Sequence, residues 1–156
     1  MKSFADLLIA WHAKSGRHHL PWQQSKDPYN VWVSEIMLQQ TQVAIVIDYY
    51  HRFMKKFPTI KALADADEEE VMQLWSGLGY YRRARFLHEG AQMIMEEMEG
   101  VFPSQFDMMM KIPGIGRSTA GAISAFSFNQ KKAILDGNVK RVLSRYFLVR
   151  EWTGLP

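Results

Sequence analysis

The sequence has 156 residues, of which 47% are apolar and 22% are charged, a composition typical of one globular domain rather than of a disordered chain. It contains no cysteine, which excludes disulfides, a cysteine-based zinc site and an iron–sulfur cluster held by these residues. No apolar run is long enough to cross a bilayer and no secretory leader is recognisable, so we expect a cytoplasmic protein without a membrane partner.

Helical signals dominate the first half of the chain. Four apolar residues recur at the spacing of one helix face behind a predicted cap at Ser3, namely Phe4, Leu7, Leu8 and Trp11. Asp27-Pro28 pairs a helix cap with the residue favoured at the first helical position, which predicts a helix from there to about Gln39. A third helix carries an apolar face between positions 43 and 57, and Pro58 ends it.

The second half of the chain continues the same pattern. Thr59 and Asp67 each predict the cap of a short helix, the second with Glu70 at the spacing of a capping box. A longer apolar stripe over 84–98 predicts a helix that ends near Gly100. A short helix from Ser104 is predicted to lead into a glycine-bearing turn, and another helix follows that turn. A last helix is predicted to begin near position 138. The sequence therefore predicts an all-α fold.

Charge is unevenly distributed along the chain. The net charge is +3, but eight basic residues oppose three acidic ones from Val101 onward, so this third carries +5 and the rest carries −2. Such asymmetry favours a polyanionic partner such as nucleic acid. A solvated basic face is an equally good interpretation of the charge alone.

The segment 111–123 joins two helices through a turn with two glycines. Gly114 and Gly116 let the backbone turn sharply and approach another molecule without interference from a Cβ atom. The following helix presents unpaired N–H groups and the positive end of its dipole, which suits a phosphate. Lys111 and Arg117 flank the turn, although most turns of this kind are merely turns.

Five strings stand out along the chain: Leu20-Pro-Trp22, the run from Val31 to Val43, the run from Leu74 to Arg85, the hairpin from Lys111 to Ile123, and the run from Ile134 to Val142. Together they resemble the A/G-specific adenine DNA glycosylases, the MutY family within the helix-hairpin-helix DNA glycosylase superfamily. The resemblance extends from Trp11 to Trp152. It implies removal of adenine mispaired with 8-oxoguanine or guanine in double-stranded DNA, by hydrolysis of the N-glycosidic bond.

The resemblance also implies an organisation for the chain. Residues 21–136 are expected to form the six-helix barrel portion of the helix-hairpin-helix glycosylase fold, with the hairpin at about 104–127. Residues 1–20 are expected to be a helix of a second subdomain, and residues 137–156 the start of the C-terminal part of the catalytic core. Because 151–156 is a turn-like segment with nothing after it, we expect a fragment. The full-length protein is expected to carry a four-iron–four-sulfur cluster, and this chain no cofactor.

The resemblance selects the catalytic residues. Glu35 is expected to protonate the departing adenine, because its apolar neighbours would desolvate the carboxyl group and raise its pKa. Asp136 is expected to stabilise the cationic sugar, with Asn138 beside it orienting the nucleophile. An exposed helix glutamate and a plain N-cap aspartate are the ordinary alternatives for the two carboxylates.

The remaining matched positions are expected to bind the substrate and DNA. Trp22 is expected in the adenine pocket, and Ser118 near the flipped nucleotide. The residues expected to contact the opened DNA duplex and the oxidised guanine are Gln40, Thr41, Leu78 and Tyr80. The hairpin residues expected to bind DNA are Pro113, Gly114, Gly116 and Arg117. Gly77 and Gly79 predict an exposed loop tip that presents Leu78. The ordinary alternatives are helix surface for Gln40 and core packing for Leu78, Tyr80 and Trp22.

Two other functions stay open at this point. The first is an endonuclease III-like glycosylase and lyase, although the position of its attacking lysine is Ser118 here, and a hydroxyl group forms no Schiff base. The second is a noncatalytic helix-hairpin-helix module that only binds DNA. We also expect the apolar stripe of the first helix to lie exposed and to favour self-association.

Overall fold

The computed structural model describes residues 2–151, so most of the turn-like segment 151–156 lies outside the described residues. Within 2–151 the chain forms α-helices, one 3₁₀ turn at Pro21–Gln23 and no strand, which confirms the all-α fold class. The helices are α1 Phe4–Ser15, α2 Pro28–Met37, α3 Val43–Lys56, α4 Ile60–Ala64, α5 Glu68–Trp75, α6 Arg82–Glu97, α7 Phe106–Met109, α8 Arg117–Phe128 and α9 Gly137–Tyr146.

Side-chain caps fix where several helices begin. Ser3 and Asp6 form a reciprocal capping box at α1, and the Asp27 carboxylate accepts from the N–H of Tyr29 at 2.8 Å at the start of α2. The Thr59 hydroxyl accepts from the N–H of Ala62 at 3.1 Å and begins α4. These predicted caps are confirmed.

The predicted capping box at α5 is wrong. Asp67 stands at the N-cap position, but its side chain accepts no hydrogen bond from the helix. The Glu70 carboxylate instead pairs with the Lys56 ammonium group of α3 at 3.0 Å. The glutamate therefore faces a neighbouring helix, and a capping box needs it to face back toward its own N-terminus.

The core lies between α2 and the helices that surround it. Helix α2 buries residues on nearly every side, and it packs against α3, α6 and α8. Aromatic rings fill much of the interior: the ring centroids of Trp32 and Phe102 lie 5.6 Å apart, and those of Phe53 and Trp75 lie 6.1 Å apart. Although α2 is almost wholly enclosed, it carries one carboxyl group, that of Glu35.

The first and last helices lie outside this core. Neither α1 nor α9 contributes a buried residue. They touch through Phe4, whose ring centroid lies 4.5 Å from that of Tyr146. Leu7 and Leu8 are each 46% exposed and Trp11 is 59% exposed, which confirms the expected exposure of the stripe. Self-association and the three-part division of the chain stay predictions.

The two glycines of the hairpin turn between α7 and α8 have different roles in the fold. Gly114 has a φ of +78°, and a Cβ atom there would lie 2.9 Å from the Cβ of Phe86. Gly114 is therefore required by the fold itself. Gly116 has a φ of −91° and open space where a Cβ would stand.

No helix among the described residues is long and apolar enough to cross a membrane.

Candidate active site

Glu35 is a half-buried carboxylic acid on α2. The residues on either side of it, Ser34 and Ile36, are buried, and so are the apolar residues of the preceding turn. Burial, and after it the charge of Asp136, raises the pKa of Glu35 to about 7. The predicted rise in pKa is confirmed, and near neutral pH this group exchanges a proton readily.

Asp136 lies at the N-cap of α9, where its Oδ1 atom accepts from the N–H of Val139 at 2.8 Å. The side chain is exposed, in contrast with Glu35. Both carboxyl groups line one cavity of about 840 Å³ between α2, α8 and α9. The fold thus brings together one half-buried acid with a raised pKa and one exposed carboxyl group.

Asn138 is one residue into α9 and also lines that cavity. Its Oδ1 atom accepts from the Nη2 atom of Arg141 at 2.8 Å, which orients the amide group. The geometry therefore leaves the Asn138 amide nitrogen available to a ligand in the cavity.

Trp22 and Glu35 line a second, smaller cavity of about 280 Å³. Trp22 is 8% exposed and its ring meets that of Tyr50 edge to face, with centroids 5.4 Å apart. The packing alternative for Trp22 is therefore correct for most of the ring, while the remainder forms a wall of this pocket. A flat group that enters here lies against an aromatic surface and beside an acid.

Gln40 and Tyr80 line a cleft of about 680 Å³ together with Gly114, Asp136 and Asn138. Gln40 follows α2 with a φ of 57°, and Tyr80 precedes α6 with a φ of 48°. Non-glycine residues rarely adopt the left-handed region, and such strain clusters at functional sites. Tyr80 is 60% exposed, so the core alternative for this residue is wrong.

Leu78 does not form an exposed loop tip, and this prediction is wrong. The side chain is 6% exposed and belongs to the hydrophobic core. Gly77 and Gly79 both have positive φ values, 91° and 76°, and these turns direct Leu78 inward. The loop instead presents Tyr80 to solvent.

The other predicted residues lie around the same openings. Thr41 and Ser118 line the cavity that holds both carboxyl groups, and Ser118 stands in the first turn of α8. Arg117 is exposed, and its guanidinium lies 5.8 Å from the centre of the Phe106 ring. Pro113 is half-buried in the hairpin turn.

Three residues at the site were missed by the sequence interpretation. Phe126, 59% exposed, lines both cavities that Glu35 faces, and Arg17 lines the larger one. Arg83 is buried at the edge of the 680 Å³ cleft. A single aromatic or basic residue gives no sequence signal that it lines a site. Arg83, however, lies inside the recognised run from Leu74 to Arg85.

The site holds no ligands for a metal cluster. Among residues 2–151 no group of three or more histidine, aspartate or glutamate residues is close enough to bind a metal ion, and the sequence has no cysteine. Four cysteine thiolates are the usual ligands of a four-iron–four-sulfur cluster, so these residues do not fit that group.

Comparison with curated proteins finds relatives with one shared name. An adenine DNA glycosylase of Buchnera aphidicola subsp. Baizongia pistaciae is 50% identical over 146 residues, covering 94% of this chain and 42% of the relative. The adenine DNA glycosylase of Homo sapiens is 47% identical over 152 residues, covering 92% of this chain and 28% of the relative. The chain therefore spans well under half the length of these two relatives.

Solved structures share the fold. A thermostable thymine-DNA glycosylase superposes with a TM-score of 0.86 at 27% identity, covering 92% of this chain and 66% of that protein. Endonuclease III in a non-covalent DNA complex superposes with a TM-score of 0.81 at 24% identity, covering 93% and 66%. A family model described as HhH-GPD superfamily base excision DNA repair protein matches residues 33–154, most of the chain. The chain belongs to the HhH-GPD superfamily of base excision DNA repair proteins.

Proposed function

We propose that this chain carries the catalytic site of an adenine DNA glycosylase, which removes adenine opposite 8-oxoguanine, or guanine, from double-stranded DNA. The observation that carries the proposal is the pair of carboxyl groups in one cavity, Glu35 with its pKa raised to about 7 and Asp136 solvated. The name shared by the relatives agrees with it. Such an enzyme acts where the chromosome lies, which in a bacterium is the cytoplasm.

The proposed reaction needs an acid and an anion. Protonated Glu35 donates its proton to a ring nitrogen of adenine, the bond between the sugar C1′ and the base breaks, and the bonding electrons leave with the base. The sugar becomes an oxocarbenium-like cation that the negative charge of Asp136 stabilises. A water molecule oriented by Asn138 adds to C1′ and loses a proton to solvent through Asp136. The products are free adenine and an abasic sugar.

Adenine must leave the base stack before Glu35 can reach it. The 280 Å³ pocket between Trp22 and Glu35 suits a flat base, because its wall is aromatic and its acid is close. We propose that Gln40, Thr41 and Tyr80 contact the opened duplex and the oxidised guanine, with Leu78 supporting their loop from inside the core. Ser118 then lies beside the flipped nucleotide.

The hairpin is proposed to hold the phosphate backbone. Gly116 is the N-cap residue of α8, whose first N–H groups have no acceptor within the helix, and the exposed Arg117 adds a positive charge. Pro113 and Gly114 shape the turn that precedes it. Because these contacts reach phosphates, they position the duplex without reading its sequence.

A single assay tests the function. The chain is mixed in excess with a duplex that carries adenine opposite 8-oxoguanine, and strand breakage is measured with and without alkali. We expect free adenine and breakage only after alkali, since Ser118 forms no Schiff base with the sugar. Breakage without alkali identifies an endonuclease III-like lyase, and binding without release of adenine identifies a noncatalytic module; either result contradicts the proposal.

Substitution of the two hairpin glycines separates DNA binding from folding. Gly116→Ala places a methyl group in open space, so the free energy of unfolding should stay within about 1 kcal/mol of the original. The affinity for matched and mispaired duplex should fall alike, because the methyl group stands where a phosphate approaches. Thermal unfolding and titration of both duplexes measure the two effects.

Gly114→Ala is the matched control for that change. Its φ of +78° and its contact with Phe86 should lower the free energy of unfolding by about 1–3 kcal/mol. A loss of affinity in Gly116→Ala that is confined to the mispaired duplex would mean that the hairpin reads bases, contrary to the role proposed for it.

A further inference from the structure

Arg83, in the first turn of α6, buries its guanidinium group against the end of α2. The residue is only 7% exposed. Its Nη1 atom donates to the carbonyl oxygens of Ile36 at 3.0 Å and Met37 at 2.9 Å, and to that of Gln39. Since carbonyl groups at a helix C-terminus lack partners within the helix and carry partial negative charge, a cation is favoured here.

The same guanidinium binds a second segment on its other side. The Nη2 atom donates to the carbonyl oxygen of Gly79 at 3.1 Å, and also to the hydroxyl of Thr41 in the first segment at 3.2 Å. The Nε atom donates to the carbonyl oxygen of Tyr80 at 3.4 Å. One side chain thus joins two turns, 38–42 and 76–81, which are about forty residues apart in sequence.

The two joined turns carry the two non-glycine residues of the 680 Å³ cleft that have positive φ values, Gln40 and Tyr80. Gln40 lies in the first turn and Tyr80 in the second, both with positive φ values. Strained conformations of this kind persist only where the surroundings over-determine them. Arg83 supplies that constraint, since it donates to the Gln39 carbonyl oxygen and to the Thr41 hydroxyl, on either side of Gln40, and to the Tyr80 carbonyl oxygen.

No carboxylate in the described residues forms an ion pair with Arg83. Its charge is balanced instead by carbonyl oxygens and by the faces of Trp75 and Tyr80, whose ring centres lie 5.3 Å and 5.5 Å from the guanidinium carbon. Trp75 also donates to the Gly79 carbonyl at 3.1 Å. A planar group with donors on several edges satisfies this arrangement, and a lysine ammonium group cannot span it.

We propose that Arg83 is a positioning residue that sets the relative placement of Gln40 and Tyr80 for binding of an opened mispair, while touching no DNA itself. The inference rests on the proposed function, since it assigns to that site a residue that acts through two others. It predicts that replacement of Arg83 disturbs placement of the mispair and leaves binding to the phosphate backbone unchanged.

Arg83→Lys tests the proposal, because it keeps the charge and removes the planar fork. Arg85→Lys is the matched control, since Arg85 is exposed on the same helix and pairs with Glu68 at 3.0 Å. In Arg83→Lys we expect single-turnover excision to slow by on the order of 10²-fold. Affinity for matched duplex and its slope against salt concentration should stay unchanged, because no phosphate contact is lost. Arg85→Lys should leave every value unchanged.

Nuclear magnetic resonance of the free chain provides a readout that needs no catalysis. The amide signals of both Gln40 and Tyr80 should shift or broaden in Arg83→Lys, and in Arg85→Lys neither should. In the unchanged chain, the guanidinium protons of Arg83 should exchange slowly with solvent and lie close to protons of Thr41 and Tyr80. That last measurement remains decisive even if the lysine variant fails to fold.

Three results would overturn the role of Arg83. They are rapid exchange of its guanidinium protons in the unchanged chain, a response at only one of the two turns, and equal losses of affinity for matched and mispaired duplex. Failure of the proposed function has a different signature, because the unchanged chain would then release no adenine while the resonance measurements still report on the two turns.

Discussion

Glu35→Gln is expected to slow release of adenine by about 10²–10⁴-fold while DNA affinity is retained, the range that general acid catalysis typically contributes. The amide keeps the size and shape of the side chain in its half-buried position on α2, but it has no acidic proton to transfer to adenine. Single-turnover excision and duplex titration measure the two quantities. Glu96→Gln, at an exposed position on α6, is the matched control and should change neither. Excision at the normal rate in Glu35→Gln would remove this residue from the mechanism.

The same assignment fixes the sign of the pH dependence. The acid acts in its protonated form, and its pKa is raised to about 7. The excision rate should therefore be highest below pH 7 and fall about tenfold for each further pH unit above it. In Glu35→Gln the residual rate should lose this descending limb. A descending limb that persists in the variant would assign the proton to another group.

Glu35→Gln, which should lower activity, should raise stability at high pH. In the unfolded chain the carboxyl group has its ordinary pKa near 4.3, and in the folded chain the pKa is about 7. The stabilisation is complete below pH 4 and is lost as the pH rises through 7, because folding then requires a partly desolvated charge. Glu35→Gln should thus be more stable than the original chain at pH 8 by about 1–3 kcal/mol, a range that allows for partial solvation. Denaturant unfolding at pH 5 and pH 8 measures the difference.

Asp136→Asn is expected to reduce excision by on the order of 10²–10³-fold through loss of the negative charge beside the cationic sugar. Asparagine caps a helix as well as aspartate does, so the bond to the Val139 N–H and the start of α9 should be retained. The change therefore isolates the charge from the cap. Asp136→Ala is its counterpart, because it removes both and should also cost about 1 kcal/mol of stability.

A second consequence connects Asp136 to Glu35. The charge of Asp136 contributes to the raised pKa of Glu35, so Asp136→Asn should lower that pKa. The descending limb of the pH–rate profile should accordingly move to lower pH. Titration of the Glu35 carboxyl carbon by nuclear magnetic resonance measures the pKa directly. An unchanged pKa would mean that the two groups do not interact, and the shared cavity would then lose its role as one site.

Features that depend on neighbours along the chain could be predicted from the sequence. Helix type follows from apolar spacing, and the caps at Ser3, Asp27 and Thr59 need only residues two or three positions away. The rise in the pKa of Glu35 was predicted from the apolar residues beside it on α2, although the charge of Asp136, distant in sequence, also contributes to it. The residue strings also indicated the family, because each is a contiguous run.

Features that depend on contacts between distant segments could not be predicted without the tertiary structure. Glu70 pairs with Lys56 on another helix, so a capping box permitted by local spacing does not form. Two flanking glycines made Leu78 look like a loop tip, yet their positive φ values turn it into the core. The residues next to Arg83 in sequence give no sign that it differs from the exposed Arg82 and Arg85. It is buried because α6 packs against the end of α2. Glu35 and Asp136, about a hundred residues apart, become one site because α2 packs against α8 and the turn after α8 returns the chain to the same cavity.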